Sequence, residues 1–335
     1  LLDRFEEAFS KQKPPFSLAV YYPLAYYIGS DPSITPMDEN RQKAVISLIR
    51  IMFLKRFESS AKAFEASCVS LLMKLLAFVT KHSQTPAEIH RLERWTAQKR
   101  RTLDWVTDRV HDFDESEQDA DEDLISPEML EDVQELSRDE YKVDDILDET
   151  FRDMDQLIVF LDELAKFKPD HDDKLQSLIR LLKENESLSK HKVLIFSEFM
   201  ATTRYLKSEL AKAGIEGIDE IDSGVSRDRG DIIKQFAPYY NDFSPAELAE
   251  NGLQETRVLI STDVLSEGLN LQDATLLINY DIHWNPVRLM QRIGRVDRRL
   301  DPEIEDRIKV EYPDRAVIRK TVNFWNFLPP QELDK

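Results

Sequence analysis

Two patterns of hydrophobic positions divide the chain near residue 168. Before that point, apolar residues recur three and four positions apart, as in 61–79 and 138–167, which is the spacing of amphipathic helices. After it, runs of three or four consecutive apolar residues alternate with short helical patterns. We therefore predict an all-α region over residues 1–168 and an α/β region over residues 169–335.

Two helix starts are marked in the first region. Thr35-Pro36-Met37-Asp38 and Thr85-Pro86-Ala87-Glu88 each combine a capping residue, a proline at the first helical position and a carboxylate two residues later. A polar, charge-rich helix is predicted over 91–109 and a last long helix over 138–167. The pattern of this region predicts helices, but it indicates few residues that could carry out chemistry.

The second region predicts a parallel sheet covered by helices on both faces, because its strands are short and apolar throughout. In such sheets ligands bind beyond the carboxyl ends of the strands, so we expect a site along one edge. Polar residues follow three of the strands there, at Ser197, at Ser261 to Asp263 and at Asp281. The predicted strands are 193–196, 218–222, 258–260 and 276–280, and the predicted helices are 174–184, 202–212, one near 232–236, and 286–299.

The net charge of −19 argues against a generic nucleic-acid binder, which usually has a basic face. Much of the excess is local, since residues 111–123 hold eight carboxylates. We interpret the acidic stretch of about 111–137 as a solvated loop, with a DNA-mimicking or partner-binding segment as the alternative. The basic run 98–101 is interpreted as a solvated helix face, with phosphate contact as the alternative.

Other features exclude several classes of site. The single Cys68 excludes an internal disulfide and a cysteine zinc site, and it is typical of a reducing cytoplasm. The six histidines do not form ligand pairs, so no metal site is predicted. We expect no membrane contact and a cytoplasmic protein. The chain begins with Leu1 rather than Met, so we expect a piece of a longer protein.

The densest chemical signal is residues 291–299, Gln-Arg-Ile-Gly-Arg-Val-Asp-Arg-Arg. On a continuous helix Gln291, Arg295 and Arg298 would share one face. Guanidinium groups gathered there suit multidentate phosphate recognition. The alternative is a surface helix whose arginines pair with Asp297 and Asp301.

These residues resemble motif VI of superfamily 2 helicases, in the form found in Swi/Snf-type, RapA-like ATPases. The resemblance implies the C-terminal RecA-like lobe of such a motor. After motif VI the chain departs from the Swi/Snf pattern, with Arg298-Arg299-Leu300-Asp301 in place of Arg-Ile-Gly-Gln. Supporting segments in the same order are 192–199 (motif IV), 223–227, 258–272 (motif V) and 279–286 with its Trp-Asn-Pro turn, and 321–330 resembles the strand after motif VI.

The resemblance implies roles for individual residues. Arg295 and Arg298 match arginine fingers, which stabilise charge on the transferring phosphoryl group. Four residues match positions near the nucleotide, and four match positions that hold the nucleic-acid backbone. The former are Gln291, Gly268, Asn270 and Glu267, and the latter are Ser197, Ser261, Thr262 and Arg227.

The phosphate-binding loop Gly-x-x-x-x-Gly-Lys-Ser/Thr and the Asp-Glu-x-His signature do not occur in this sequence. The resemblance therefore implies that ATP and Mg²⁺ are bound mainly by an N-terminal RecA-like lobe, and that this chain alone is inactive. The expected function is an ATP-dependent translocase or helicase on nucleic acid, with duplex DNA as the expected track. The alternatives are a non-catalytic scaffold that binds a protein partner, and an ATPase subunit of a restriction or phage-defence system.

Overall fold

The computed structural model describes residues 16–113, 136–222, 228–263, 270–297, 300–319 and 321–328. The chain divides into two compact units. A helical unit takes in residues up to 57 together with 64–167, and an α/β unit takes in 58–63 together with 168–335. The chain therefore enters the α/β unit twice, first through six residues and later for the rest of its length.

Two helices of the helical unit begin at Pro36 and Pro86, where the sequence predicts. Thr85 and Glu88 form a reciprocal capping box, in which the Glu88 N–H reaches Thr85 Oγ1 at 3.3 Å and the Thr85 N–H reaches Glu88 Oε2 at 2.9 Å. The helices that carry this region are α1 (Pro36–Ser59), α2 (Ala61–His82), α3 (Pro86–Phe113) and α4 (Val143–Leu164).

The core of the helical unit is built by the apolar faces of α2 and α4, whose residues Leu72, Leu75, Met154 and Leu157 are fully buried. By length and composition, α2 could also cross a membrane, but 67% of its most apolar window is buried inside the structure, as in the core helix of many soluble proteins. The expectation of no membrane contact stays a prediction.

A buried carboxylate in α4 holds the first described residues of the helical unit. Asp153 accepts the backbone N–H groups of Ser17 and Leu18 at 2.8 and 2.7 Å. Burial raises the pKa of this carboxyl to about 7. The helical unit thus contains an acid that titrates near neutral pH.

The α/β unit confirms the predicted fold class. Its five parallel strands lie in the order β2-β3-β1-β4-β5. The strands are β1 (Val193–Phe196), β2 (Ile218–Ile221), β3 (Val258–Ser261), β4 (Leu276–Asn279) and β5 (Asn323–Asn326). The helices are α5 (Asp173–Glu184), α6 (Glu186–Lys190), α7 (Met200–Lys212), α8 (Arg229–Phe236), α9 (Pro245–Glu250), α10 (Pro286–Val296), α11 (Pro302–Glu311) and α12 (Pro313–Ile318).

Helices cover both faces of this sheet, which explains why its central strands are apolar throughout. Successive side chains of a strand point to opposite faces. Val193 and Ile195 accordingly pack with residues of α5 and α7, whereas Leu194 and Phe196 pack with residues of α8. The polar residues that follow the strands are left at the carboxyl edge.

Arg319 holds helix α11 to the residues before β4. The buried Arg319 binds both carboxylate oxygens of Glu305, at 2.6 and 2.8 Å, and also the carbonyl oxygens of Gln272 and Asp273. Since Glu305 lies on α11 and Asp273 precedes β4, these hydrogen bonds tie the end of the chain to the sheet.

Two predicted boundaries are wrong. Helix α10 ends at Val296 rather than at residue 299, because Asp297 leaves helical geometry (φ −93°, ψ 72°) after closing the last turn onto the Ile293 carbonyl. Arg298, which was predicted to share a helix face with Gln291, lies outside the described residues. Helix α4 begins at Val143 rather than at residue 138. Of the acidic stretch, residues 114–135 lie outside the described residues.

Candidate functional site

The carboxyl ends of β1, β3 and β4 bring three predicted site segments together at one edge of the sheet. Because β3 and β4 both pair directly with β1, the residues after these strands are neighbours in space. Ser197 follows β1, Thr262 and Asp263 follow β3, and Tyr280 and Asp281 follow β4. This edge is the place where ligands bind in sheets of this kind.

Helix α10 starts beside this edge. The Asn285 side chain accepts the Val287 N–H at 3.0 Å, and Pro286 occupies the first helical position. Both are favoured start signals, so the Trp-Asn-Pro turn sets the direction of the helix that follows.

Arg292 fixes helix α10 to the sheet. Its side chain is buried, and its guanidinium group binds Asp263 through two parallel hydrogen bonds, of which Nε–Oδ1 is 2.6 Å. A third hydrogen bond, 2.7 Å long, runs from Nη1 to the carbonyl oxygen of Asp281. Burial alone would lower the pKa of Arg292, but the hydrogen bonds and charge of Asp263 raise it above its usual value, so the guanidinium group stays protonated. We call this arrangement the Arg292 clamp.

The clamp leaves other polar side chains of α10 around a small cleft. Arg288, Gln291 and Arg295 line it together with Phe196, Asp263 and Arg292. Two guanidinium groups and an amide beside a clamped, neutralised ion pair form a donor-rich surface that suits phosphate oxygens. In the part of the chain that the structure describes, no cluster of three or more acidic, histidine or cysteine side chains could hold a metal ion.

Asp281 is a second centre of hydrogen bonding at the same edge. Its carboxylate accepts from Lys174 Nζ at 2.8 Å, from Ser59 Oγ at 2.7 Å, from Ser197 Oγ, and from the Glu198 N–H at 3.0 Å. Burial alone would raise the pKa of Asp281, but Lys174 and the hydroxyl donors hold it below the usual value. The carboxylate is therefore ionised at neutral pH.

The structure places five of the ten predicted site residues at this edge or on α10. Gln291 and Arg295 line the cleft. The hydroxyl of Ser197 donates to Asp281, and that of Ser261 donates to the Thr262 carbonyl at 2.7 Å. The hydroxyl of Thr262 is buried and has no hydrogen-bond partner among the described residues.

A sixth predicted residue, Asn270, lies further along the chain, where its amide donates to the Tyr240 carbonyl at 3.3 Å. The remaining four lie outside the described residues: Arg227, Glu267, Gly268 and Arg298. The roles assigned to all ten residues stay predictions.

Sequence reasoning missed the Arg292 clamp. It counted only the helix face that holds Gln291 and Arg295, and Arg292 lies on the face turned to the sheet. The signal was present, because Asp263 and Asp281 directly follow buried strands, and carboxylates in such places require cationic or N–H partners.

Comparison with known proteins agrees with this geometry. Residues 173–299 match the family model described as the helicase conserved C-terminal domain. The match covers α5 to α10 and thus the whole carboxyl edge. This part of the α/β unit is therefore similar to helicase C-terminal domains.

Relatives share this part of the chain. The uncharacterized ATP-dependent helicase YqhH of Bacillus subtilis is 34% identical over 146 residues, which are 44% of this chain and 22% of YqhH. A probable ATP-dependent RNA helicase of Methanocaldococcus jannaschii is 29% identical over 134 residues, which are 40% of this chain and 31% of the relative. The chain thus spans less than a third of either relative.

Two solved structures overlap with the chain at low scores. The helicase domain of Pyrococcus furiosus Hef gives a TM-score of 0.34 at 18% identity, covering 90% of this chain and 50% of that one. The C-terminal part of the Fun30 ATPase domain gives 0.35 at 17% identity, covering 79% and 83%. Since both scores fall below 0.5, the fold is assigned on the order and direction of the strands.

Proposed function

Taking residues 173–299 as a helicase C-terminal domain, we propose that this chain supplies the second motor lobe of a nucleic-acid-dependent ATPase. The α10 helix would face ATP held by an N-terminal RecA-like lobe, with Mg²⁺ bound mainly by that lobe. Arg295 and Arg298 would act as arginine fingers, and Gln291, Glu267, Gly268 and Asn270 would lie near the nucleotide.

The cleft beside the Arg292 clamp carries this proposal. A finger must be held in place before the phosphate arrives, because only a preorganised charge stabilises a transition state without reorganisation cost. The three hydrogen bonds of Arg292 fix α10, and Gln291 and Arg295 project from the same short helix into the cleft. The arrangement suits an anion that arrives from outside the described residues.

The Thr262 hydroxyl supports a nucleic-acid contact at the adjoining strand end. A buried polar group without a partner is costly unless a ligand or water satisfies it. Together with Ser197, Ser261 and Arg227, this position would hold the phosphodiester backbone, which a motor grips independently of sequence.

Gly294 supports the proposal that an N-terminal lobe closely approaches the surface of α10. A glycine inside a helix costs roughly 0.5–1 kcal/mol relative to alanine. A Cβ atom built on Gly294 meets no described heavy atom within 4 Å, so packing within the described part of the chain does not require glycine. The proposed N-terminal lobe is the partner that would need the space.

The finer assignment is a Swi/Snf-type, RapA-like translocase on duplex DNA, in the cytoplasm. It rests on the motif order and on the Trp-Asn-Pro turn before α10. The acidic helical region would bind a protein partner.

Arginine substitutions in the full-length protein test the proposal. We expect Arg295→Ala and Arg298→Ala each to lower kcat for ATP by about 10³-fold or more, with nucleotide binding retained. Arg180→Ala, on the exposed face of α5, is the matched control and should leave kcat unchanged. Unchanged turnover in both finger variants would refute the assignment.

Comparing tracks tests the substrate. ATP turnover of the full-length protein should rise most with duplex DNA, and less with single-stranded DNA or RNA. If only RNA stimulated ATP turnover, the track would be RNA rather than DNA. Absence of turnover with every track would favour the scaffold alternative.

A further inference from the structure

The end of α1 and the start of α2 meet at the carboxyl edge of the sheet. Residues 58–63 belong to the α/β unit, although the helices on either side belong mainly to the helical unit. Ser59 and Ser60 are buried. We call residues 58–63 the inserted junction.

Hydrogen bonds attach the inserted junction at several points. Lys174 Nζ donates to the carbonyl oxygens of Glu58 and Ser59 at 3.0 and 3.2 Å, and its third hydrogen bond goes to Asp281. The hydroxyls of Ser59 and Ser60 each lie 2.7 Å from Thr202 Oγ1 at the start of α7. The junction is therefore fixed by side chains from α5, from α7 and from the end of β4.

Asp281 connects the junction to the Arg292 clamp. Its carboxylate binds Ser59 and Lys174, while its backbone carbonyl oxygen binds Arg292 Nη1. A displacement of Asp281 would thus move the carbonyl oxygen that binds Arg292 and, with it, change the position of α10. Asp281 therefore contacts both the inserted junction and Arg292 of the clamp.

Stability alone does not explain why an ion pair makes this connection. Lys174 and Asp281 form a largely buried ion pair 2.8 Å apart. Such a pair is often replaceable by apolar residues without loss of stability, but it fixes geometry through its directional hydrogen bonds. A positioning role is consistent with that kind of interaction.

We propose that Ser59, Lys174 and Asp281 are positioning residues that couple the inserted junction to helix α10, so that loss of their hydrogen bonds lowers ATP turnover. This inference rests on the proposed function, since it assigns α10 the arginine fingers.

Hydrogen exchange on the 335-residue chain tests the coupling without any ATPase activity. We expect Ser59→Ala and Asp281→Asn to speed exchange about three- to tenfold in residues 286–296 as well as in 58–63, which corresponds to the loss of one hydrogen bond. Ser189→Ala is the matched control, because its exposed hydroxyl bonds only a local carbonyl. Unchanged exchange in 286–296 for folded Ser59→Ala would overturn the proposal.

Kinetics of the full-length protein separates positioning from general stability. We expect Ser59→Ala and Lys174→Met each to lower kcat about three- to tenfold at unchanged KM for ATP, well below the melting temperature. The double variant should lose little more than either single one, since both act through Asp281. Additive losses, or a change confined to melting temperature, would overturn the coupling.

The two proposals fail in different ways. If Arg295→Ala abolishes turnover and Ser59→Ala alters neither kcat nor exchange, the motor assignment stands and the coupling is refuted. If Arg295→Ala is fully active while Ser59→Ala still speeds exchange in α10, the junction positions the helix but the finger assignment fails.

Discussion

Asp263→Asn tests whether the Arg292 clamp holds the carboxyl edge together. The substitution keeps the size of the side chain but removes its charge and turns one acceptor into a donor that faces Arg292. Arg292, which is 2% exposed, then loses the carboxylate that binds it through two hydrogen bonds. Breaking a buried ion pair by removing one partner costs about 3–5 kcal/mol, a large share of the roughly 5–15 kcal/mol that stabilises a domain.

The assay must report on the α/β unit alone, because the chain has two units. Urea titration followed by hydrogen-exchange mass spectrometry at peptides over β1, β3 and β4 meets that need. Asp306→Asn is the matched control, since its pair with Lys309 is exposed and should contribute less than about 1 kcal/mol. A loss below about 1 kcal/mol for Asp263→Asn would refute the clamp as a stabilising element.

Three further substitutions give independent checks. Gly294→Ala should stabilise this chain by about 0.5–1 kcal/mol in urea titrations and yet lower ATP turnover of the full-length protein, and destabilisation would show that the described part of the chain needs the glycine. Asp153 has a folded pKa of about 7 against 3.8 for the unshifted carboxyl, so its protonated form favours the folded state. The contribution of Asp153 to the stability of the helical unit should therefore be full below about pH 4 and fall by at most about 4 kcal/mol as the pH rises through 7, and Asp153→Asn should remove this contribution from pH-dependent melting curves. Arg319→Met should lower the free energy of unfolding by about 3–5 kcal/mol in the same urea assay, because Glu305 loses its buried partner. A decrease below about 1 kcal/mol at every pH would contradict that reasoning.

The fold could be predicted because its signals are local. Capping residues before Pro36 and Pro86 and the apolar run 193–196 depend only on neighbours in sequence, and the structure has these elements where the sequence predicts them. The end of α10 could not be placed in this way. Asp297 leaves helical geometry, although the amino-acid sequence after it is still typical of a helix.

The site could be predicted only in part, because its geometry depends on distant residues. Motif resemblance located Gln291 and Arg295, which line the cleft. It did not indicate that Arg292 is buried between Asp263 and Asp281, since that follows from which strands are neighbours. The inserted junction was beyond prediction, because Ser59 has no sequence feature that distinguishes it from a helix-end serine.

The inserted junction also constrains how the protein is made. Ser59 leaves the ribosome 222 residues before Asp281, its hydrogen-bond partner. Closing so large a loop is entropically costly, and contacts between distant residues slow folding. Residues 58–63, where α1 ends and α2 begins, must therefore stay available until β4 has been synthesised. The α/β unit completes its carboxyl edge late, with a segment whose Ser59 was translated 222 residues before its partner Asp281.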